Sequence, residues 1–269
     1  MKISIVTPTF NEIENIEKLY FEIKEEISKE GCEYEHIIID NNSSDGTIDK
    51  IKELALNDKN LKIIINSKNY GHIRSPFYGL LQSSGDATIL MSSDFQDPLN
   101  MIGKYIQAWK NGSKIVLAEK VSSAESKFTF LLRKFFYNFL NYISDVELTK
   151  NTTGSGIFDK SVIQKLKLID DPYPYFRGLI AEVGEEIKTI KFDQPLRKYG
   201  KTKNNFSTLF DIAMLGVVKH SRKPLRFMVL LGFASSIIGF LVGTFYIIYK
   251  LLFWDSFALG LAPIIIAIF

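Results

Sequence analysis

Between Phe227 and Tyr249 the chain runs for 23 residues without a single charge, and this stretch restricts the possible folds more than any other feature. As a helix rising about 1.5 Å per residue it covers roughly 34 Å, enough to cross a hydrocarbon core. A buried helix of a soluble protein that long normally shows a polar face, so the stretch predicts a transmembrane helix over 227–249. A second apolar run, 257–269, is too short to span a bilayer unaided and reads as the start of a truncated second transmembrane helix. Together they predict a multi-pass protein of the inner (cytoplasmic) membrane. Lys219, Arg222, Lys223 and Arg226 precede the first span with no acid among them, which predicts that residues 1–226 stay on the cytoplasmic side. Met1–Ser4 reads as a first strand rather than a cleavable signal peptide. A lone cysteine, Cys32, excludes an internal disulfide and fits a reducing compartment. A net charge of +3 gives no reason to expect nucleic acid as a partner. The local basic patches fit anionic lipid or phosphate instead.

Ahead of the span, short β-rich apolar runs alternate with helical stretches. Ile3–Thr7, His36–Ile39, Leu61–Ile65, Ala87–Met91 and Lys114–Ala118 are predicted strands; Glu12–Ser28, Thr47–Leu56, Ser75–Gln82 and Leu99–Lys110 are predicted helices. This order predicts an α/β domain, a doubly wound and mainly parallel sheet with helices on both faces. Residues 126–143 break the pattern. Phe128, Leu131, Leu132, Phe135, Phe136, Phe139, Leu140 and Ile143 recur at helical spacing opposite Lys127, Lys134, Asn138 and Asn141. A core helix has the same period, but aromatic density beside basic residues favours an amphipathic helix lying in the lipid interface.

Three polar clusters follow predicted strands: Thr7–Glu12, Asp40–Ser43, and Asp94, Gln96 and Asp97. Open α/β sheets bind ligands at the carboxyl ends of their strands, so these clusters predict one pocket for a nucleobase, a ribose and a diphosphate. The segment Met91–Pro98 offers hard oxygen donors suited to Mg²⁺ or Mn²⁺, although acidic loops at strand ends also serve simply as helix caps. No GxxxxGK[ST] loop is present and no GxGxxG follows the first strand, which argues against a P-loop NTPase and a dinucleotide oxidoreductase. Arg197–Lys203 is dense in cations. It fits either a juxtamembrane contact with headgroups or a loop closing over phosphates with Arg197 and Lys203 as clamps. His36, His72 and His220 show no metal-ligand spacing and read as structural.

The ordered set Val6–Glu12, Asp40–Thr47, Asp94–Pro98, Tyr175–Leu179 and Arg197 to Lys203, ending in membrane helices, resembles a family 2 glycosyltransferase of the GT-A fold. The resemblance is to the polyisoprenyl-phosphate branch, which includes dolichol-phosphate mannose synthases and bactoprenol glucosyltransferases, and it covers essentially the whole chain. It implies a cytoplasmic catalytic domain over 1–210, a basic juxtamembrane segment over 211–226, and the membrane helices beyond. By the same resemblance Pro8, Phe10 and Glu12 line the nucleotide pocket, Asp40 contacts the base, and Asn41, Ser93 and Lys120 join the nucleotide-sugar site. Asp94 and Gln96 ligand the metal; Arg197 and Lys203 hold donor or acceptor phosphate. The implied partners are a nucleotide-sugar donor, polyprenyl phosphate and the lipid bilayer, with a homo-oligomer formed through the membrane helices.

The implied reaction is inverting and metal-dependent. A polyprenyl (undecaprenyl) phosphate oxygen attacks the anomeric carbon of a UDP-hexose, or of GDP-mannose as second choice, at the cytoplasmic face. Several positions depart from the family pattern. Ser92 stands where the first Asp of Asp-Xaa-Asp is usual, Asn41 where a second Asp is frequent, and Lys120 where Arg is common. The stretch Thr153–Ile157 lacks the Asp that precedes Phe-Arg-Leu in the acceptor loop of many relatives, so the usual candidate base is missing. A phosphate monoester, with a second pKa of about 6, is already anionic near neutrality and needs positioning more than a base. A sugar hydroxyl needs general-base help. The gap therefore favours a lipid-phosphate acceptor over the alternative, extension of a surface polysaccharide on a hydroxyl. A scaffold that kept the fold and lost catalysis is opposed by retention of Asp94, Gln96, Arg197 and Lys203.

Overall fold

A computed structural model describes residues 1–122, 149, 152–195 and 206–253. The first half alternates strictly. Strand β1 (Lys2–Thr9) leads to helix α1 (Ile13–Lys29), β2 (Glu33–Asp40) to α2 (Thr47–Leu56), β3 (Leu61–Ile65) to α3 (Gly71–Leu81), and β4 (Ala87–Leu90) to α4 (Met101–Lys110). After β5 (Ile115–Ser122) and β6 (Thr152–Asp159) come α5 (Lys160–Leu168), α6 (Phe176–Glu182) and β7 (Ile187–Asp193). Two further helices follow, α7 (Phe206–His220) and α8 (Lys223–Leu252).

The sheet has seven strands in the order β3-β2-β1-β4-β6-β5-β7. Strands β3, β2, β1 and β4 are mutually parallel, β6 runs antiparallel to both its neighbours β4 and β5, and β7 pairs parallel with β5. Within the parallel half the inner strands β1, β2 and β4 are largely buried and rich in apolar residues, while the edge strand β3 stays partly exposed. Alternation along β1 sends Ile3 and Ile5 to one face, where they meet Leu19, Ile23 and Ile27 of α1 and Ile102 and Ile106 of α4. Val6 points to the opposite face, with Phe77 and Leu80 of α3, Val162 and Leu166 of α5, and Leu179 and Ile180 of α6. Helices thus cover both faces, as the alternation predicts.

The Thr153–Ile157 stretch, expected as loop, is instead most of strand β6. Its composition hides this: Gly156 sits so close to β5 that a Cβ there would lie 2.2 Å from the carbonyl oxygen of Val116. Only glycine admits that approach, and a glycine-rich strand does not look like one in sequence. The two antiparallel pairings of β6 also restore direction, so the carboxyl ends of β1, β2, β4 and β5 and the first residues of β6 share one edge of the sheet.

Helix α8 spans 30 residues, longer at its amino end than the uncharged run alone. It is long and apolar enough to cross a membrane, and none of its side chains is buried against the protein. Pro224 in its first turn suits a position where the missing amide proton leaves no bond unmade. The expected interfacial helix (126–143) and second span (257–269) lie outside the described residues.

Candidate active site

The loops after β1, β2 and β4 meet at the shared edge, and each contains one residue with positive φ: Asn11 at 54°, Asn42 at 66° and Phe95 at 58°. Among the described residues these are the non-glycine residues with that backbone. Such conformations persist only where surroundings impose them, and they concentrate at ligand sites. Here the imposing contacts are visible. The amide of Asn11 donates to Ser43 Oγ at 2.7 Å, and the Ser44 amide donates back to Asn11 Oδ1 at 2.8 Å. The Glu12 amide donates to Thr47 Oγ1 at 3.0 Å and the Ile13 amide to Asp45 Oδ2 at 3.2 Å. The first two loops are therefore one laced unit.

Asp40 is fully buried at the end of β2, and its carboxylate accepts the Ser43 amide at 2.8 Å and the Ser43 hydroxyl at 2.6 Å. Asn41, also buried, fixes the turn that enters α3. Its Nδ2 donates to Asn69 Oδ1 and to the Gly71 carbonyl, and its Oδ1 accepts from the Tyr70 amide at 2.8 Å and from Asn66. The backbone partners set the amide orientation. An aspartate in this place could not donate to the Gly71 carbonyl, a physical reason for asparagine where relatives often carry acid. Glu12 is buried and accepts from Asn15 Nδ2. Pro8 and Phe10 are half-buried at the mouth of the same edge.

In the third loop burial alternates. Ser93, Phe95 and Asp97 turn inward, while Ser92, Asp94, Gln96 and Pro98 stay partly accessible. The Gln96 amide donates to Asp94 Oδ1 at 3.1 Å, holding the two donors of the turn together. One carboxylate and one side-chain amide, both reachable, fit a divalent cation that takes its remaining ligands from phosphate and water. No group of three or more His, Cys, Asp or Glu is arranged for a metal among the described residues. Asp97 has another part. Burial pushes its carboxyl above the usual range, opposed by hydrogen bonds to Oδ2 from Ser155 Oγ and from the amide (3.0 Å) and hydroxyl (2.7 Å) of Ser92.

The structure therefore brings Pro8, Phe10, Glu12, Asp40, Asn41, Ser93, Asp94 and Gln96 to one edge. Lys120, half-buried on β5, reaches the same edge beyond β6. Arg197 and Lys203 lie outside the described residues. Sequence reasoning missed two features. One is the Ser92–Asp97–Ser155 cluster, in which Asp97 and Ser155 are 58 positions apart and the three carry no shared motif. The other is the seat of His220, which packs at 5.4 Å from the Tyr175 ring and bonds Glu182 Oε1 at 3.0 Å. Helix α6 is held on its other side by Phe176, 5.4 Å from Phe158, and Phe176 and Arg177 line a recess with Gly154 and Thr152. The cluster of His220, Tyr175 and Glu182 thus ties that recess to the helix preceding the candidate span.

Comparison with known proteins agrees with this geometry. The chain is similar to the bactoprenol glucosyl transferase of Shigella phage SfV, 30% identical over 254 residues, 94% of this chain and 83% of that protein. It is similar also to the prophage bactoprenol glucosyl transferase homolog of Escherichia coli K12, 28% identical over 95% of this chain and 84% of that protein. Glucosyl-3-phosphoglycerate synthase from Mycobacterium tuberculosis, solved with Mn²⁺, UDP and phosphoglyceric acid, shares the fold with a TM-score of 0.56 at 16% identity, covering 80% of this chain and 76% of that one. The GT-A arrangement, the relatives' names and the match of residues 4–167 agree with the polyprenyl-phosphate branch, and the chain belongs to glycosyl transferase family 2.

Proposed function

We propose that this glycosyltransferase moves one sugar, with inversion, from a nucleotide-sugar donor to polyprenyl phosphate at the cytoplasmic face of the membrane, with Mg²⁺ or Mn²⁺ as cofactor. UDP-hexose is the favoured donor and GDP-mannose the second. The observation that carries the reading is a chain of contacts from the sheet toward α8: helix α6 borders a recess beside the first residues of β6, α7 docks on α6 through His220, and α8 follows within three residues. Relatives named for bactoprenol glucosyl transfer over most of this chain support the acceptor. A fold neighbour solved with UDP and Mn²⁺ supports the donor and the ion. Lys219, Arg222, Lys223 and Arg226 support the orientation.

In this mechanism the laced loops bind the nucleoside, with Pro8, Phe10 and Glu12 lining it and Asp40, Asn41 and Ser93 shaping the floor. Asp94 and Gln96 would hold the metal, which offsets charge as the nucleoside diphosphate leaves. Lys120, Arg197 and Lys203 supply cations for donor and acceptor phosphates. The phosphate oxygen attacks without a protein base. At position 154 the backbone has φ 91°, a conformation that favours glycine over the aspartate found in many relatives, and this speaks against a hydroxyl acceptor.

The test is transfer of radiolabelled sugar into organic-extractable lipid by purified protein with Mn²⁺ or Mg²⁺, undecaprenyl phosphate and a panel of UDP- and GDP-sugars. A lipid product abolished by chelator is expected with one donor. Donor binding in the presence of metal without any lipid product would overturn the acceptor assignment. Absence of donor binding would overturn the enzymatic site itself.

A further inference from the structure

We infer that Ser155 of β6 is a positioning residue for the metal-bearing loop, acting through Asp97 in concert with Ser92. The inference rests on the proposed metal role of Asp94 and Gln96. Its geometric basis is independent of that role. The loop after β4 has to present Asp94 and Gln96 on its accessible side across a left-handed Phe95, a conformation that is uphill for a bulky residue. Something must hold the loop from behind. That something is the Asp97 side chain, 4% exposed, whose Oδ2 accepts three hydrogen bonds. Two come from Ser92, at the first position after the strand's own loop entry, and close the loop on itself across five residues. The third comes from Ser155, itself buried on the neighbouring strand, and ties the loop to the sheet.

One position where this chain departs from the family pattern, Ser92, and the neighbour of another, Ser155 beside Gly154, therefore converge on one carboxylate. Ser92 occupies the place of the first Asp of Asp-Xaa-Asp, and its hydroxyl donates to Asp97 at 2.7 Å. Ser155 belongs to the stretch where relatives carry their acceptor-loop Asp. A carboxylate at position 92 could not donate, and alanine at 155 would remove the tie to β6. In this chain serine hydroxyls stiffen the loop from behind, and the metal depends on Asp94 as the loop's accessible carboxylate.

The experiment compares wild type with Ser155→Ala, Ser92→Ala and Ser155→Thr, using the full chain in detergent. Amide hydrogen exchange over residues 92–97 reads the strut directly, and Mn²⁺ titration with UDP followed by electron paramagnetic resonance reads its consequence. Ser161→Ala serves as a control, because it removes a comparable serine-to-aspartate bond at the start of α5, away from the loop. Both alanine variants at the strut are expected to speed exchange in 92–97 and to raise the half-saturating Mn²⁺ concentration about tenfold, within the range for the net contribution of one hydrogen bond. Ser155→Thr keeps the hydroxyl and should restore both readings; Ser161→Ala should lower the melting temperature and leave both unchanged. Unchanged exchange in Ser155→Ala overturns the strut. Faster exchange with an unchanged Mn²⁺ midpoint overturns its role for the metal. A wild-type protein that binds no Mn²⁺ with UDP or GDP overturns the proposed metal site, and the exchange reading then decides the strut alone.

Discussion

Restoring an aspartate at position 154 gives a sharp test of base-free attack. Among the described residues a Cβ built on Gly154 meets nothing within 4 Å, so the substitution has room there, and the penalty counted is that of the backbone. At φ 91° a residue with a side chain is held in left-handed territory, at about 1–2 kcal/mol. Each kcal/mol corresponds to roughly 2–4 °C in a protein of this size, so Gly154→Asp should melt about 2–8 °C below wild type and still fold. A well-placed general base contributes roughly 10²–10⁴-fold where the nucleophile has a proton to lose. An ionised lipid phosphate has none to lose, so kcat for transfer to undecaprenyl phosphate should stay within about threefold of wild type, far short of that range. The assay is kcat against pH with saturating donor, alongside a thermal melt. A rise in kcat of about 100-fold, with a new acid limb at a carboxylate pKa, would refute base-free attack. An unchanged melting temperature would refute the strain.

Three further outcomes are expected. Asp94→Asn keeps shape and removes a charge, so transfer should fall by more than about 10²-fold while the melting curve is unchanged; Mn²⁺-dependent transfer at wild-type rate would remove Asp94 from the site. A Cβ at Gly178 would lie 1.9 Å from His220 Nε2, so Gly178→Ala must displace a buried ring that also bonds Glu182. The expected loss is about 1–3 kcal/mol, measured by thermal melt, and a melt equal to wild type would refute the close packing. Glu35, 2% exposed, gives a pH signature at the opposite edge of the sheet. Burial pushes its carboxyl up, but hydrogen bonds from Lys62, Ser4 and Ser84 outweigh burial and hold it well below the usual carboxylate range. Its folded pKa is depressed, so its stabilisation is complete above the unfolded value of about 4.3 and is lost as pH falls from there towards the folded value. The stability gap between wild type and Glu35→Gln, from urea melts, should therefore narrow below that pH; a gap constant between pH 7 and 3 would refute the assignment.

Much of the architecture could be read from the sequence, and for physical reasons. A parallel strand buried on both faces must be apolar throughout, so Ala87–Leu90 announced itself, and the β-branched run of the edge strand Leu61–Ile65 did the same, while the period of α1 and α4 marked the helices that cover the sheet. A candidate span with no charge can be seen without coordinates, because its length and hydropathy are read residue by residue. The polar loops after β1, β2 and β4 were legible as well, since strand ends are where an open sheet binds. Strand β6 was not: its Gly156 answers to the carbonyl oxygen of a neighbouring strand, a contact with no trace in local pattern. Nor could any spacing reveal that Ser92 and Ser155 meet on Asp97, or that Gly178 leaves room for His220.

Local sequence thus determined the elements, their order and the residue types offered at the binding edge, because propensity, periodicity and hydrophobicity act over a few residues. Tertiary structure decided the direction of β6, the inward and outward turns of the loop after β4, and the joint between the recess and the candidate span. Each of these depends on a hydrogen bond or a close approach between residues tens of positions apart, and such contacts exist only once the chain has closed.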